Sequence, residues 1–169
     1  MTKRIPDFER YASEISRIRQ KEGKNWCIPA NIEAVTKYFD PKSSVTQEYL
    51  VNKLEEACKQ SEEVVRSFFN YKNKVLDSDP NYTWAASCIK SGKIDTLAFS
   101  LIPSEIDKGP VILSLCSHVY TVVECNDLGG LRLHDTRDGK LLCKSLDEMR
   151  RDLPEGNKSE TDMLIIRPR

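Results

Sequence analysis

The residue best suited to nucleophilic chemistry is Cys27, which lies where a polar loop enters a predicted helix. Apolar residues follow at helical spacing, among them Ala30, Ala34 and Tyr38, and Pro29 suits a first helical turn, where its missing N–H would be unpaired anyway. The free N–H groups and positive dipole end of such a helix favour an anion, so a thiol there should ionise more readily. A small buried cysteine without reactivity is the alternative interpretation.

A general base is predicted at His118, the first residue of an apolar, β-rich stretch. Cross-strand partners share one face of a sheet, and a slip of one residue reverses every side chain. A two-residue turn starting at Asn126 puts Asp135 opposite His118, and a four-residue turn puts it at the diagonal position. A register that pairs His118 with His134 would bring Arg132 into the apolar face, so we reject it.

Together these three side chains have the residue types of a nucleophile, a base and an orienting acid. Asp135 would fix the tautomer of His118 and stabilise its imidazolium form, while His118 would accept the proton of Cys27. Sequence spacing alone does not show that Cys27 and His118 meet, because they lie in different halves of the chain.

Four segments carry apolar residues at helical spacing: 6–19, 27–40, 44–58 and 64–76. Ser44 with Gln47 three residues later resembles a capping box, which predicts the start of the third helix. The second helix should stop before Pro41, because a residue that precedes proline avoids helical geometry.

The β-rich segments come later in the chain: 111–115, 119–123, 131–134 and 163–166, with a break near 116–117. Residues 97, 99 and 101 alternate like a strand, residues 84–86 fit either a short helix or an extended segment, and 103–107 resemble one helical turn. Helices first and a mostly antiparallel sheet second predict an α+β fold.

The length fits a single domain over residues 1–169. We divide it into an N-terminal amphipathic helix within 1–19, a mainly helical half at 20–110 and a mainly β half at 111–169. The N-terminal helix could dock on the domain or on a second copy, so a homodimer is conceivable.

Composition excludes several classes of function. Lys and Arg together number 26, as do Asp and Glu, so the formal charge is zero and no global field attracts nucleic acid. No stretch is apolar and long enough to span a bilayer, and the first residues do not resemble a secretory signal. The expected location is cytoplasmic, with a peptide or protein as partner and no membrane insertion.

The six cysteines contain no Cys-x-x-Cys pair, and in a reducing compartment they should be thiols. Cys116, His118, Cys125 and His134 offer ligand types that zinc accepts, but their spacing matches no finger or ribbon. We therefore expect no metal and no cofactor, and zinc remains the weaker alternative.

Cys27, His118 and Asp135, in this order, resemble the papain-like cysteine peptidases, most closely the branch with the bacteriocin leader peptidases. The matching segments are 25–30, 109–112, 118–123 and 133–135, and the resemblance covers about residues 20–166. It implies a papain-like fold with the catalytic cysteine at a helix N-terminus. It also implies that Gln20, seven positions before Cys27, helps to form the oxyanion hole. Members commonly carry glycine where this chain has Ile28.

The resulting hypothesis is an amide hydrolase, most simply a peptidase, that works through a thioester acyl-enzyme. The same triad could serve a transglutaminase-like acyltransferase or a deamidase, and nothing in the three positions separates these reactions. A peptide-binding module on a peptidase-like scaffold, with the triad unused, is the alternative from another class.

Overall fold

A computed structural model describes residues 1–59, 64–115, 117–153 and 160–169 of the chain. The strands within them are β1 (Thr2–Arg4), β2 (Trp84–Lys93), β3 (Val111–Leu115), β4 (His118–Asn126), β5 (Leu131–Asp135), β6 (Lys140–Lys144) and β7 (Glu160–Pro168). The helices are α1 (Phe8–Ser13), α2 (Cys27–Phe39), α3 (Gln47–Ala57), α4 (Phe68–Tyr71), α5 (Ile94–Thr96), α6 (Ile102–Glu105) and α7 (Leu146–Asp152).

These strands form one antiparallel sheet in the order β2-β7-β3-β4-β5-β6, and β1 pairs with the far end of β4. The predicted break between two strands is confirmed: β3 ends at Leu115, β4 begins at His118, and these two residues are cross-strand partners. Cys116 lies outside the described residues. Helices combined with an antiparallel sheet confirm the α+β class.

Both faces of the sheet are covered by helices. Val119 packs in one apolar cluster with residues of α2, α3 and α4, such as Val35 and Leu50. Its neighbour Tyr120 packs in a second cluster, which includes Met149 of α7 and residues of α5 and α6. Successive residues of a strand point to opposite faces, so Val119 and Tyr120 face different sides of the sheet. Helix α2 also contributes to the second cluster, through Ala34 and Tyr38.

Helix α2 begins at Cys27 and ends at Phe39, and Asp40 before Pro41 is extended, as predicted. Ile28, which stands where the resemblance leads one to expect glycine, packs against the cluster of α2, α3 and α4 without interrupting the helix.

The N-terminal prediction is wrong in extent. A strand, β1, precedes α1, and after Ser13 the chain tightens into a 3₁₀ turn over Ile15–Arg17. Tyr11 and Ile15 are buried in the core of their own chain, so this apolar face docks on the domain, one of the two alternatives, and gives no support to a contact with a second copy.

Two predicted helix starts are also wrong. Helix α3 is capped by Thr46, whose side chain accepts a hydrogen bond from the N–H of Tyr49, and not by Ser44. The segment predicted over 64–76 becomes helical only at Phe68, after a cap by Ser67, and continues as a π-helical turn over Lys72–Leu76.

Residues 97–101 are helical, so the strand prediction for them is wrong. The segment runs from α5 through a π-helical turn, Leu97–Leu101, into α6 and a 3₁₀ turn at Ile106–Lys108, which includes the predicted turn near 103–107. Its buried residues are Ile94, Leu97, Ala98 and Ile102, a helical spacing, whereas Phe99 is half exposed. Residues 84–86 are extended, within β2.

Among the described residues, no helix combines the length and apolar character that crossing a bilayer requires.

Candidate active site

Cys27 is the first residue of α2, and its side chain is largely buried. Its Sγ lies 4.0 Å from Oδ1 of Asn25, a long contact. Burial raises the pKa of the Cys27 thiol above its ordinary value, and the backbone N–H groups of Ile28 and Val119 only partly offset this effect. The expectation that this thiol ionises more readily is therefore wrong, because burial outweighs the positive helix N-terminus, and the resting group is a neutral thiol.

His118 stands at the start of β4, with its ring edge-on against Tyr120 at 4.7 Å between centroids. Its Nε2 is 2.8 Å from Oδ1 of Asp135. Burial lowers the pKa of His118 below its ordinary value, although the neighbouring carboxylate raises it. The imidazole is therefore neutral near pH 7 and able to accept a proton.

The contact of His118 with Asp135 follows from strand register. Asp135 pairs with Tyr120, so it lies diagonal to His118, the position that a four-residue turn predicts. The turn itself is longer, and a bulge between Val122 and Glu124 absorbs the difference.

Asp135 is also held by Arg137, two residues further along the chain. The backbone N–H and Nε of Arg137 donate to Oδ1 at 2.9 and 3.1 Å, and Nη2 donates to Oδ2 at 2.7 Å. Burial of Asp135 raises the pKa of its carboxyl, but the hydrogen bonds from Arg137 and His118 outweigh burial and hold that pKa at about 2. The carboxylate stays ionised at neutral pH.

A buried amide, Asn31, joins the cysteine helix to the histidine strand. Its Nδ2 donates to the carbonyl of Cys27 at 2.7 Å and to the carbonyl of Val119 at 3.0 Å. Its Oδ1 accepts from the hydroxyl of Thr121 at 2.7 Å. Asn31 therefore holds the first turn of α2 beside the carbonyl of Val119, the residue after His118.

Gln20 reaches the same end of the sheet by its backbone. Its N–H donates to the carbonyl of Thr136 at 2.7 Å, directly after Asp135. Its side-chain amide donates to the carbonyl of Lys24 at 3.2 Å, within its own loop. To stabilise an oxyanion on Cys27, this amide would have to turn away from Lys24.

One contact expected between the three candidate residues is missing among the described residues. His118 and Asp135 are hydrogen-bonded, whereas among the described residues no hydrogen bond joins the Cys27 thiol to His118. The two are linked indirectly, through Asn31 and Val119. Catalytic hydrogen bonds are often long or poorly aligned in unliganded enzymes, so the missing bond does not by itself exclude a catalytic pair.

His134 lies apart from this cluster, in agreement with our rejection of the register that would pair it with His118. It pairs with Thr121 and so lies on the opposite face from Asp135. Its Nδ1 meets the hydroxyl of Tyr11 and its Nε2 meets the carbonyl of Ile18, both at 2.9 Å.

A zinc site built on both histidines would have to span the sheet. Within the ranges that the structure describes, no group of three or more His, Cys, Asp and Glu side chains could hold a metal ion. Cys116, one member of the zinc alternative, lies outside those ranges.

Asn31 and Arg137 are site residues that the sequence reasoning missed. A polar residue inside an otherwise apolar helix stripe was the signal for Asn31. For Arg137, the signal was a cation two residues after the candidate carboxylate.

The chain matches no known protein-family model, and a search of curated proteins gives no significant match.

Proposed function

We propose that this protein is a papain-like cysteine hydrolase that cleaves an amide bond, most simply a peptide bond. The observation that carries the proposal is the bond from His118 Nε2 to Asp135 Oδ1, 2.8 Å long, at the start of the strand that Asn31 ties to Cys27. That bond leaves Nδ1 of His118 as the nitrogen available to a thiol. Three residue types with complementary roles thus occupy one end of the sheet.

The directions of the pKa shifts favour a neutral thiol and a neutral imidazole before substrate binds. The Sγ–H proton would then pass to His118 as Sγ attacks the carbonyl carbon, without a preformed ion pair. The C–N bond breaks as His118 returns the proton to the leaving amine, and water then hydrolyses the thioester. Asp135 remains ionised and orients the ring.

The oxyanion needs donors near Sγ. The backbone N–H of Cys27, at the start of a thirteen-residue helix, is one candidate donor. The amide of Gln20 is the second, once it exchanges its bond to Lys24 for one to the substrate oxygen.

The state of the cysteines is compatible with a reducing compartment. Among the described residues, the cysteines 27, 58, 88, 125 and 143 form no disulfide bonds. We expect the protein to work in the cytoplasm, where a catalytic thiol stays reduced.

One observation favours the peptide-binding alternative, namely the missing hydrogen bond between Cys27 and His118. If Cys27 and His118 form no hydrogen bond even with a peptide bound, the scaffold would bind the peptide without cleaving it. Substitution of Cys27 by alanine would then leave both affinity and the bound peptide unchanged.

Thiol alkylation with mass mapping tests whether His118 acts on Cys27. Iodoacetamide should label Cys27 at a rate that falls roughly tenfold or more in His118→Ala, because the base that withdraws its proton is gone. Cys143 is exposed and serves as an internal control, since its labelling should be equal in both proteins. Equal labelling of Cys27 in both proteins would contradict the proposal.

Product mass then identifies the second step. Hydrolysis adds water across the cut bond, deamidation adds about one dalton, and transfer adds the acceptor amine to the same acyl group. Cys27→Ala and His118→Ala should each reduce turnover by about a thousandfold or more while the protein stays folded.

A further inference from the structure

A groove of about 870 Å³ opens beside the candidate nucleophile. It is lined by the loop over residues 19–25 and by Arg137. Two of its walls touch the candidate site directly: Oδ1 of Asn25 is 4.0 Å from Sγ of Cys27, and the guanidinium of Arg137 is bonded to Asp135. A peptide whose carbonyl lies on Cys27 would therefore place a neighbouring side chain in this groove.

The lining is cationic although the whole chain is neutral. Four of the eight lining residues are Lys or Arg and one is acidic, Glu22; the four cations are Arg19, Lys21, Lys24 and Arg137. Such a concentration of one charge in a concave surface raises the local concentration of oppositely charged groups.

Part of that positive charge is not neutralised within the protein. Lys21 lies 3.5 Å from Glu48, and Arg137 is paired with Asp135. In the part of the chain that the structure describes, Lys24 and Arg19 have no carboxylate partner. Among the described residues, the guanidinium of Arg19 forms a hydrogen bond only to the carbonyl of Arg137, and that bond is long, 3.5 Å.

The backbone adds to this field. Cys27 is the first residue of helix α2. The partial positive charge at this helix N-terminus extends over the first turn, next to the loop that lines the groove. An anionic group in the groove would thus face two unpaired cations and a helix terminus, with Glu22 as the only opposing carboxylate among the lining residues.

We propose that this groove binds an acidic side chain, Asp or Glu, of the substrate peptide, close to the bond that Cys27 attacks. This assignment of substrate class rests on the proposed function of the same site. Lys24 and Arg19 are its specificity-determining residues, and neither takes part in the chemical step.

The test measures binding in Cys27→Ala, so that it does not require turnover. The probes are three fluorescent octapeptide pools, acetylated and amidated at their ends and built from uncharged residues. One central position is fixed as Glu, Gln or Lys. We expect the Glu pool to bind about fivefold more tightly than the Gln pool, and the Lys pool to bind most weakly. High salt should remove most of the difference.

Charge-removing variants locate the effect. Lys24→Gln and Arg19→Gln should each reduce the preference for Glu over Gln. Lys42→Gln is the matched control, because Lys42 is exposed beyond the other end of α2 and should leave the preference unchanged. Equal binding of the three pools, or an equal effect of Lys24→Gln and Lys42→Gln, would overturn the inference.

The same data separate this inference from the proposed function. Tight binding of the Glu pool by Cys27→Ala without cleavage by the wild-type protein would leave the acidic specificity standing and remove the hydrolase. Cleavage of all pools at equal rates would do the reverse. Amidated ends ensure that a terminal carboxylate cannot supply the anion.

Discussion

Asp135 is shared between two partners, His118 on one oxygen and Arg137 on both. The guanidinium neutralises part of the charge that would otherwise stabilise the imidazolium form of His118. It also lowers the pKa of His118 directly, as a smaller contribution than burial and the opposing effect of Asp135. In the proposed reaction, Arg137 would therefore act through Asp135 and His118, as a positioning residue.

We predict that Arg137→Gln moves the acidic limb of the pH–activity profile to higher pH. Loss of the guanidinium raises the pKa of His118, so the ring must lose its proton at a higher pH before it can act as a base. The loss in kcat/KM at neutral pH should stay below the roughly hundredfold cost of misplacing a catalytic group by about 1 Å.

The control for this prediction is Arg137→Lys, which keeps the charge and loses the two-pronged contact with Asp135. It should lower the rate and leave the acidic limb near its wild-type position. If both variants keep the wild-type profile, the charge of Arg137 does not act on His118.

Residue-level prediction succeeded where strand geometry constrains the answer. The placement of Asp135 on the same face as His118 follows from keeping apolar faces together, whereas its diagonal position, one of two that the sequence left open, depends on the bulge between Val122 and Glu124. The joint between Cys27 and His118 depends on how a helix packs on a sheet. Asn31, a polar residue in an apolar helix stripe, ties the two elements together by hydrogen bonds to backbone carbonyls, and the sequence does not show which carbonyls a buried amide will meet.

At the level of elements, the start of α3 offers a direct comparison of two candidate caps. Thr46 accepts a hydrogen bond from the N–H of Tyr49, whereas Ser44, the residue that the capping-box pattern indicated, is exposed before the helix. Thr46→Ala should lower the free energy of unfolding by about 1 kcal/mol, because it leaves that N–H unpaired.

Ser44→Ala is the matched control and should change stability by less than about 0.5 kcal/mol. Urea unfolding of both variants under one condition checks the prediction. A larger loss in Ser44→Ala than in Thr46→Ala would mean that the helix begins earlier than the structure indicates.

Some elements were hidden by competing periodicities. In residues 97–101 an alternation of apolar residues suggested a strand, but the buried set extends from Ile94 to Ile102 at helical spacing. Helix α7, in contrast, carries a complete capping box of Ser145 and Glu148 that the sequence reasoning overlooked. The half predicted as mainly β therefore contains a helix, and the half predicted as mainly helical contains β2.

At the scale of the whole molecule, the α+β class could be predicted, but the layering of the fold could not. Strand propensity identified β3, β4, β5 and β7, while the order β2-β7-β3 depends on contacts between distant segments. Residues 94–108, of which the sequence predicted only the turn near 103–107 as helical, supply much of the second helical layer, so the burial of that layer could not be deduced either.

The acid sensitivity of the whole fold should depend on His134, which holds α1 and the chain near Ile18 to β5 through both ring nitrogens. Burial lowers the pKa of His134 to about 4. Between about pH 6.5 and 4 the unfolded chain therefore binds a proton that the folded protein does not, and the free energy of unfolding falls as the pH falls. The loss should approach about 3 kcal/mol.

Urea unfolding at several pH values checks this prediction, with His134→Gln as the test variant. That variant should be less stable than the wild type at neutral pH, because Tyr11 and Ile18 lose a partner, yet its stability should depend less on pH in this range. His118→Gln is the comparison, since His118 also has a lowered pKa but retains some exposure and a carboxylate partner. An unchanged pH dependence in His134→Gln would show that this buried ring does not govern the loss of stability in acid. Asp135 would then be the next group to consider, below about pH 4.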